Sequence, residues 1–133
     1  MNVLFFLKPK NEVILVDENA TLRQVMEKME YHRYTSIPII NKKGNYVGTL
    51  SEGDILWFIK SKKEFNLEDS EKIQINQIKR YHDNKVVKVD ADIDELLEAV
   101  KHQNFAPVVD DRNIMIGIVT RQDIIKYLTQ HQK

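Results

Sequence analysis

One segment of this chain occurs twice. Residues 38–56 align with residues 107–125 without a gap, and both segments keep a proline, a glycine and an aspartate at the same places (Pro38 and Pro107, Gly48 and Gly117, Asp54 and Asp123). The apolar positions stay apolar, and Ser51 in the first copy becomes Thr120 in the second. A repeat of this length is a folding unit rather than a solenoid turn, so the sequence predicts two related units paired about a pseudo-twofold axis.

The apolar residues around the repeated segment predict the same elements in both copies. One helical face is formed by Leu22, Val25, Met26 and Met29 in the first copy, and by Ile93, Leu96, Leu97 and Val100 in the second. The predicted strands span residues 13–16, 37–40 and 46–50, and in the second copy residues 86–89, 107–109 and 114–119. A second helix closes each copy. Each copy is therefore predicted to be β-α-β-β-α, and the fold class is α+β.

The composition along the chain sets the predicted boundaries. The first repeat is assigned to residues 8–60, a polar surface linker to residues 61–75 and the second repeat to residues 76–130, which together form one compact unit. The copies differ in one length. The connection over residues 22–38 is two residues longer than its counterpart over residues 93–107, so the second copy has a tighter passage from helix to strand.

Two apolar stretches lie outside the repeats. Ile73, Ile75 and Ile78 restart apolar periodicity ahead of the second repeat. The run over residues 3–7 is expected to cover the first repeat in a similar way.

Charge and cysteine content exclude several classes of function. The 133 residues carry 20 basic and 20 acidic side chains, so the basic surface that nucleic acid requires is not expected. The chain has no cysteine, which removes disulfides, thiolate zinc sites and cysteine nucleophiles. The early apolar run is too short to span a bilayer, so we expect a cytoplasmic protein without a membrane partner.

No combination of residues predicts catalysis. The four histidines have neither metal-ligand spacing nor a neighbouring nucleophile, and the sequence has no P-loop. They are His32, His82, His102 and His131. We therefore expect neither an enzyme nor a required cofactor or metal.

The repeated motif Gly-x-x-Ser/Thr-x-x-Asp lies in each copy where a strand is predicted to end and a helix to begin. In one interpretation the hydroxyl and the carboxylate cap the helix N-terminus. In the other, the same geometry binds a ribose phosphate. The hydroxyl then donates to a phosphate at the helix N-terminus, and the carboxylate one turn later accepts hydrogen bonds from ribose hydroxyls.

The residues around both motifs resemble CBS domains, which are named for cystathionine β-synthase and which in tandem form a Bateman module. The resemblance covers about residues 8–130 and rests on residues 34–40 and 48–54 in the first copy, and on residues 104–109 and 117–123 in the second. It implies two pseudo-twofold-related repeats packed sheet to sheet. Many members bind adenosine derivatives in the clefts between the repeats: AMP, ADP, ATP, S-adenosylmethionine or cyclic di-AMP.

The resemblance also implies roles for individual residues. Asp54 and Asp123 would hold ribose hydroxyls, while Ser51 and Thr120 would contact phosphate. The backbone before each proline would face the adenine, and the first strands would line the base pocket. These residues are Thr35, Ser36, Ile37, Asn104, Phe105 and Ala106 for the backbone, and Val13, Ile14, Val86 and Val87 for the strands.

The charge beside the two hydroxyls predicts unequal sites. Arg121 follows Thr120, whereas Glu52 follows Ser51, so a multiply charged phosphate is favoured at the second copy if these side chains reach the ligand.

The leading hypothesis is a regulatory module that senses an adenine nucleotide and signals to a separate effector protein. By resemblance, it is expected to be a homodimer paired through its helices. The alternative hypothesis is a ligand-independent interaction or dimerisation module, in which both motifs only cap helices.

Overall fold

The computed structural model describes residues 2–130, which divide into two compact units. The first-repeat unit contains residues 14–43 and 47–83, and the second-repeat unit contains residues 2–13, 44–46 and 84–130. Each unit has its own sheet and helices, so the predicted α+β class is confirmed.

The elements follow one another in the predicted β-α-β-β-α order in both copies, after one short helix and one short strand. They are α1 (Val3–Phe6), β1 (Lys8–Pro9), β2 (Val16–Asp17), α2 (Leu22–His32), β3 (Ser36–Ile40), β4 (Tyr46–Ser51), α3 (Glu52–Lys60), β5 (Val87–Lys88), α4 (Ile93–Val100), β6 (Phe105–Val109), β7 (Met115–Thr120) and α5 (Arg121–Gln130). Three short 3-10 helices lie at Lys10–Glu12, Leu67–Glu71 and Ile75–Gln77.

The first-repeat unit is built on a three-stranded sheet with the order β2-β3-β4. β2 is parallel to β3, as a strand-helix-strand connection through α2 requires. Leu22, Val25 and Met29 of the predicted helical face are buried against the strand residues Ile37 and Leu50. The periodicity of the sequence therefore identified the core face of α2.

The second-repeat unit has a four-stranded sheet with the order β1-β7-β6-β5. β5 is parallel to β6, whereas β7 is antiparallel to both β6 and β1. Leu96 and Val100 of α4 pack with Val108 and Val119 in its core. The two sheets thus share one plan, and the second sheet gains an additional strand from the chain's N-terminal segment.

The first strand of each copy is shorter than predicted. β2 pairs with β3 at two positions (Val16 with Ile39, Asp17 with Ile40), and β5 pairs with β6 at two positions (Val87 with Val108, Lys88 with Val109). Before β2, Val13 ends the first 3-10 helix, so the backbone of residues 10–13 is turned out of the ladder.

The apolar run over residues 3–7 is predicted from its position to cover the first repeat. In the structure it covers the second repeat instead. Val3 and Phe6 are buried in the core of the second-repeat unit. Lys8 and Pro9 then pair with Ile118 and Gly117. The free edge of β7 accepts this segment, so that expectation is wrong.

The apolar residues that precede the second repeat pack in the first-repeat unit. Ile75 and Ile78 are buried in its core, and Ile73 packs against it. The backbone fixes this placement, because Leu22 N–H donates to Ile73 O at 2.7 Å and Ile75 N–H donates to Ala20 O at 2.9 Å. Each core is therefore completed by the segment that precedes the other copy.

The two segments that complete the cores, residues 3–9 and residues 73–83, are called the covering segments. The repeated glycine of each motif lies beneath one of them. A Cβ on Gly117 would overlap the Lys8 carbonyl oxygen and would lie 2.8 Å from Leu7 Cδ1. A Cβ on Gly48 would lie 2.5 Å from Asp83 Oδ1. Gly117 is thus required by the close approach of backbone, whatever the motif binds, whereas the atoms nearest Gly48 belong to the side chains of Arg80 and Asp83.

We expect Gly117→Ala to destabilise the protein by about 2 kcal/mol or more, because its methyl group meets backbone that cannot move without breaking the β1–β7 pairing. Urea denaturation would measure the free energy of unfolding. Gly53→Ala is the matched control, since its Cβ would have Ser51 Oγ as nearest neighbour at 3.7 Å. Equal stability of the two variants would contradict the close-packing role.

Candidate functional site

The first motif forms a helix cap. Ser51 Oγ accepts a hydrogen bond from Asp54 N–H at 3.1 Å, and Ser51 N–H donates to Asp54 Oδ2 at 3.0 Å. This reciprocal pair is a capping box at the N-terminus of α3. The capping interpretation is therefore confirmed for the first copy.

The remaining oxygen of the Asp54 carboxylate is also engaged. Its Oδ1 accepts Tyr81 N–H at 3.1 Å, and the residue is only 3% exposed. A buried carboxylate with backbone N–H partners on both oxygens is stabilised in place. A ribose that bound to Asp54 would therefore have to displace the backbone N–H of Tyr81.

Two more residues of the covering segment over residues 73–83 close over the first motif. Arg80 Nε and Asp83 Oδ1 form an ion pair at 2.8 Å. The same Asp83 oxygen accepts Thr49 N–H at 3.0 Å, directly after Gly48. Sequence reasoning did not identify Arg80, Tyr81 or Asp83, and the Tyr81 contact is made by its backbone, which leaves no side-chain pattern to detect.

The second motif has the same cap but a different carboxylate environment. Thr120 Oγ1 accepts Asp123 N–H at 3.1 Å at the start of α5. The Asp123 side chain is exposed, and among residues 2–130 no donor is hydrogen-bonded to its carboxylate. Both copies have an aspartate at this position. The Asp54 carboxylate is engaged within the protein, whereas the Asp123 carboxylate is exposed and available to a ligand.

In each unit, the residue that precedes the proline-containing strand accepts a hydrogen bond from the first residue of the helix that follows the motif. Thr35 O accepts Glu52 N–H at 2.9 Å, and Asn104 O accepts Arg121 N–H at 2.8 Å. The first backbone N–H of each helix, which a phosphate would otherwise use, is therefore paired inside the protein.

The other predicted ligand residues differ in burial. Ile37, Phe105, Ala106 and Val87 are buried core residues, whereas Ser36, Val13, Ile14 and Val86 are partly exposed. The side chains of the buried group pack inward, so a ligand would meet only their backbone. The ligand role of this set stays a prediction.

The residues that follow the two hydroxyls differ in contacts. Glu52 is exposed, but Arg121 is half-buried and its Nε donates to Val100 O at 2.8 Å, at the end of α4. In the first copy the equivalent carbonyl, Met29 O, accepts the backbone N–H of Arg33 and Tyr34. Arg121 thus caps a helix end, and its phosphate contact stays a prediction.

Two cavities border these elements. One of about 370 Å³ lies in the first-repeat unit beside Thr35 and Glu52, and one of about 230 Å³ lies in the second-repeat unit beside Asp123. The first has an apolar floor of methionine and isoleucine with a charged rim. Its lining residues are Met26, Met29, Glu30, Arg33, Tyr34, Thr35, Glu52 and Ile55.

A family model for the CBS domain matches the chain twice, at residues 7–61 and at residues 78–130. Both copies of the β-α-β-β-α unit are thus covered. The chain therefore belongs to the CBS-domain family, and it contains a tandem pair.

Solved structures share the fold. A hypothetical conserved protein from Geobacillus kaustophilus has a TM-score of 0.88 at 20% identity, with 99% of this chain and 98% of that chain covered. The protein CbpB of Listeria monocytogenes, solved in complex with c-di-AMP, has a TM-score of 0.83 at 19% identity, with 97% and 96% covered. At these identities the likeness establishes the fold.

A more similar relative is MJ1225 of Methanocaldococcus jannaschii, which is 30% identical over 128 residues. The match covers 88% of this chain and 46% of MJ1225, so the chain spans about half the length of this relative. The crystal structure of MJ1225, described as a proposed archaeal homologue of γ-AMPK, has a TM-score of 0.80 at 26% identity and covers 98% of this chain and 50% of that one.

Among residues 2–130, every helix is shorter or more polar than a membrane crossing requires. The same residues hold no group of three or more His, Asp or Glu side chains placed to bind a metal ion. His131 lies outside the described residues.

We expect Asp54→Asn to lower the free energy of unfolding by about 1–3 kcal/mol, because an amide nitrogen would face one of the two backbone N–H groups. Asp123→Asn is the matched control in the second copy. Its exposed side chain predicts a change within about 0.5 kcal/mol. Urea denaturation of both variants would test the difference, and similar losses would contradict the engaged state of Asp54.

Proposed function

We propose that this chain is a regulatory module that binds an adenosine derivative and signals to a separate effector protein. The candidate ligands are AMP, ADP, ATP, S-adenosylmethionine and cyclic di-AMP. CbpB, a protein of the same fold, has been solved with c-di-AMP, and MJ1225 is described as a proposed homologue of γ-AMPK. Ligand binding would favour one conformation of the module, and the effector would bind that conformation selectively.

The observation that carries this proposal is the state of the Asp123 carboxylate. It lies one turn into α5 beside the Thr120 hydroxyl, it is exposed, and no described residue donates to it. A carboxylate so placed accepts hydrogen bonds from vicinal ribose hydroxyls, while the helix N-terminus favours the attached phosphate.

The two copies are proposed to bind unequally. In the first copy, the Asp54 carboxylate already has two backbone partners and is 3% exposed. A ligand there would have to break the Tyr81 contact, so its apparent affinity would be lower. The second copy is therefore the tighter site.

Isothermal titration calorimetry with the candidate nucleotides would test this function. We expect Asp123→Asn to weaken binding by about tenfold or more, since a hydrogen bond to a charged group contributes about 1.5–3 kcal/mol. Asp54→Asn should leave the tighter affinity unchanged. In thermal shift, a ligand at a hundredfold excess over Kd should stabilise the wild type by about 2.7 kcal/mol.

The outcomes separate the hypotheses. Binding that falls equally in both variants would contradict unequal sites. No binding of any candidate nucleotide by the wild type would remove the sensing function and favour the interaction module.

We also propose a homodimer, because the last helix of each copy exposes apolar side chains. Leu56 and Trp57 of α3 are 56% and 49% exposed, and Ile125 and Leu128 of α5 are 51% and 47% exposed. Large apolar side chains on a helix surface are typical of a protein interface.

A charge on the exposed face of α3 should disrupt the dimer. We expect Trp57→Glu to shift the mass measured by light scattering from dimer toward monomer, because it would place a desolvated carboxylate in the interface. Leu67→Glu is the matched control, since Leu67 is 60% exposed but lies outside both helices. A monomeric wild type, or equal masses for wild type and Trp57→Glu, would contradict the proposal.

A further inference from the structure

The cavity of the first-repeat unit has an apolar floor. Met26, Met29 and Ile55 form this floor, and the cavity volume is about 370 Å³. Met29 and Ile55 also belong to the buried core of the unit, which holds the floor in place. Volumes of roughly 300–1,000 Å³ are typical of sites that enclose a small molecule. Because methionine is flexible and polarisable, the floor can adapt to apolar groups of different shape.

The rim of the cavity carries charges of both signs. Glu30 lies in the last turn of α2, Arg33 follows the last residue of that helix, and Glu52 is the first residue of α3. All three side chains are exposed. Within the described part of the chain, no hydrogen bond or salt bridge engages any of these three charged groups. Two carboxylates and one guanidinium are therefore available to a ligand.

Backbone hydrogen bonds fix the rim. Glu52 N–H donates to Thr35 O at 2.9 Å, which ties the start of α3 to the segment that follows α2. Arg33 ends α2 in a left-handed conformation with a φ of 59°. Tyr34 N–H then donates to Met29 O at 2.9 Å. The charged side chains are thus attached to backbone that is ordered before any ligand arrives.

The rim charges are particular to the first copy. When the matched helices are aligned at their first residues, Glu30 corresponds to Lys101, and Glu52 corresponds to Arg121 in the repeated motif. Arg33 lies in the connection that is two residues longer in the first copy. An acidic pair in one copy thus replaces a basic pair in the other, so the shared fold does not require this set of charges.

We propose that this cavity binds a free apolar α-amino acid, a ligand class distinct from adenosine derivatives. The ammonium group interacts with Glu30 and Glu52, the carboxylate accepts paired hydrogen bonds from Arg33, and the apolar side chain packs on the floor. Charge complementarity selects a zwitterion, because an anion alone would face two carboxylates and a cation alone would face the guanidinium. This site goes beyond nucleotide binding, and its test does not depend on the nucleotide titrations.

Calorimetry with leucine, methionine and phenylalanine on the full chain tests this proposal. The wild type should bind leucine about tenfold or more tightly than isoamylamine, which lacks the carboxylate, and than isocaproate, which lacks the ammonium group. Glycine has no side chain to bury on the floor, so its affinity should also be about tenfold or more below that of leucine.

Two substitutions assign the charges. Arg33→Asn removes the guanidinium and keeps a residue that tolerates the left-handed backbone, so it should weaken leucine binding about tenfold without weakening isoamylamine binding. Glu30→Gln should weaken the binding of both leucine and isoamylamine without weakening that of isocaproate. Glu64→Gln is the matched control, since Glu64 is an exposed carboxylate of the same unit that does not line the cavity.

Three results would overturn the proposal. The first is a wild type that binds none of the three amino acids, and this result would leave the proposed nucleotide binding untouched. The second is a leucine affinity that stays unchanged in both Arg33→Asn and Glu30→Gln, since the ligand would then bind elsewhere. The third is equal affinity for leucine and glycine, because the apolar floor would then contribute nothing.

Discussion

Close packing at the two motif glycines determines what surrounds each candidate site. At Gly117, the N-terminal strand crosses so near that a methyl group would overlap the Lys8 carbonyl. At Gly48, the side chains of Arg80 and Asp83 make the close approach instead of backbone. These contacts bring Phe5 to α5 in one unit and Tyr81 to Asp54 in the other. The composition of each candidate site thus follows from which segment covers its glycine.

Two asymmetries between the copies have a common cause. The first copy has two extra residues before its proline, and Arg33 there adopts a left-handed conformation that lets backbone N–H groups cap Met29 O. The second copy lacks those residues, and the side chain of Arg121 reaches the equivalent carbonyl of Val100 instead. The length difference and the replacement of Glu52 by Arg121 are therefore two parts of one solution to helix capping.

Periodicity and the repeat predicted most of the fold, because the core faces of α2 and α4 and the strand-helix junctions depend on local spacing. The sequence did not predict which copy Val3 or Ile75 would join, since an apolar residue does not specify its partner. It also could not separate Asp54 from Asp123. The motifs are identical there, and the difference arises from the Tyr81 backbone N–H, which every non-proline residue possesses.

The placement of the covering segments has a consequence for how such a chain could arise by gene duplication. Val3 and Phe6 precede the first copy but are buried in the core of the second, and Ile73 and Ile75 precede the second copy but pack in the core of the first. A single ancestral copy with its own leading segment would have needed that segment from another molecule. Two such molecules would exchange segments and form a swapped homodimer. Tandem fusion would then convert an association that depends on concentration into an intramolecular one.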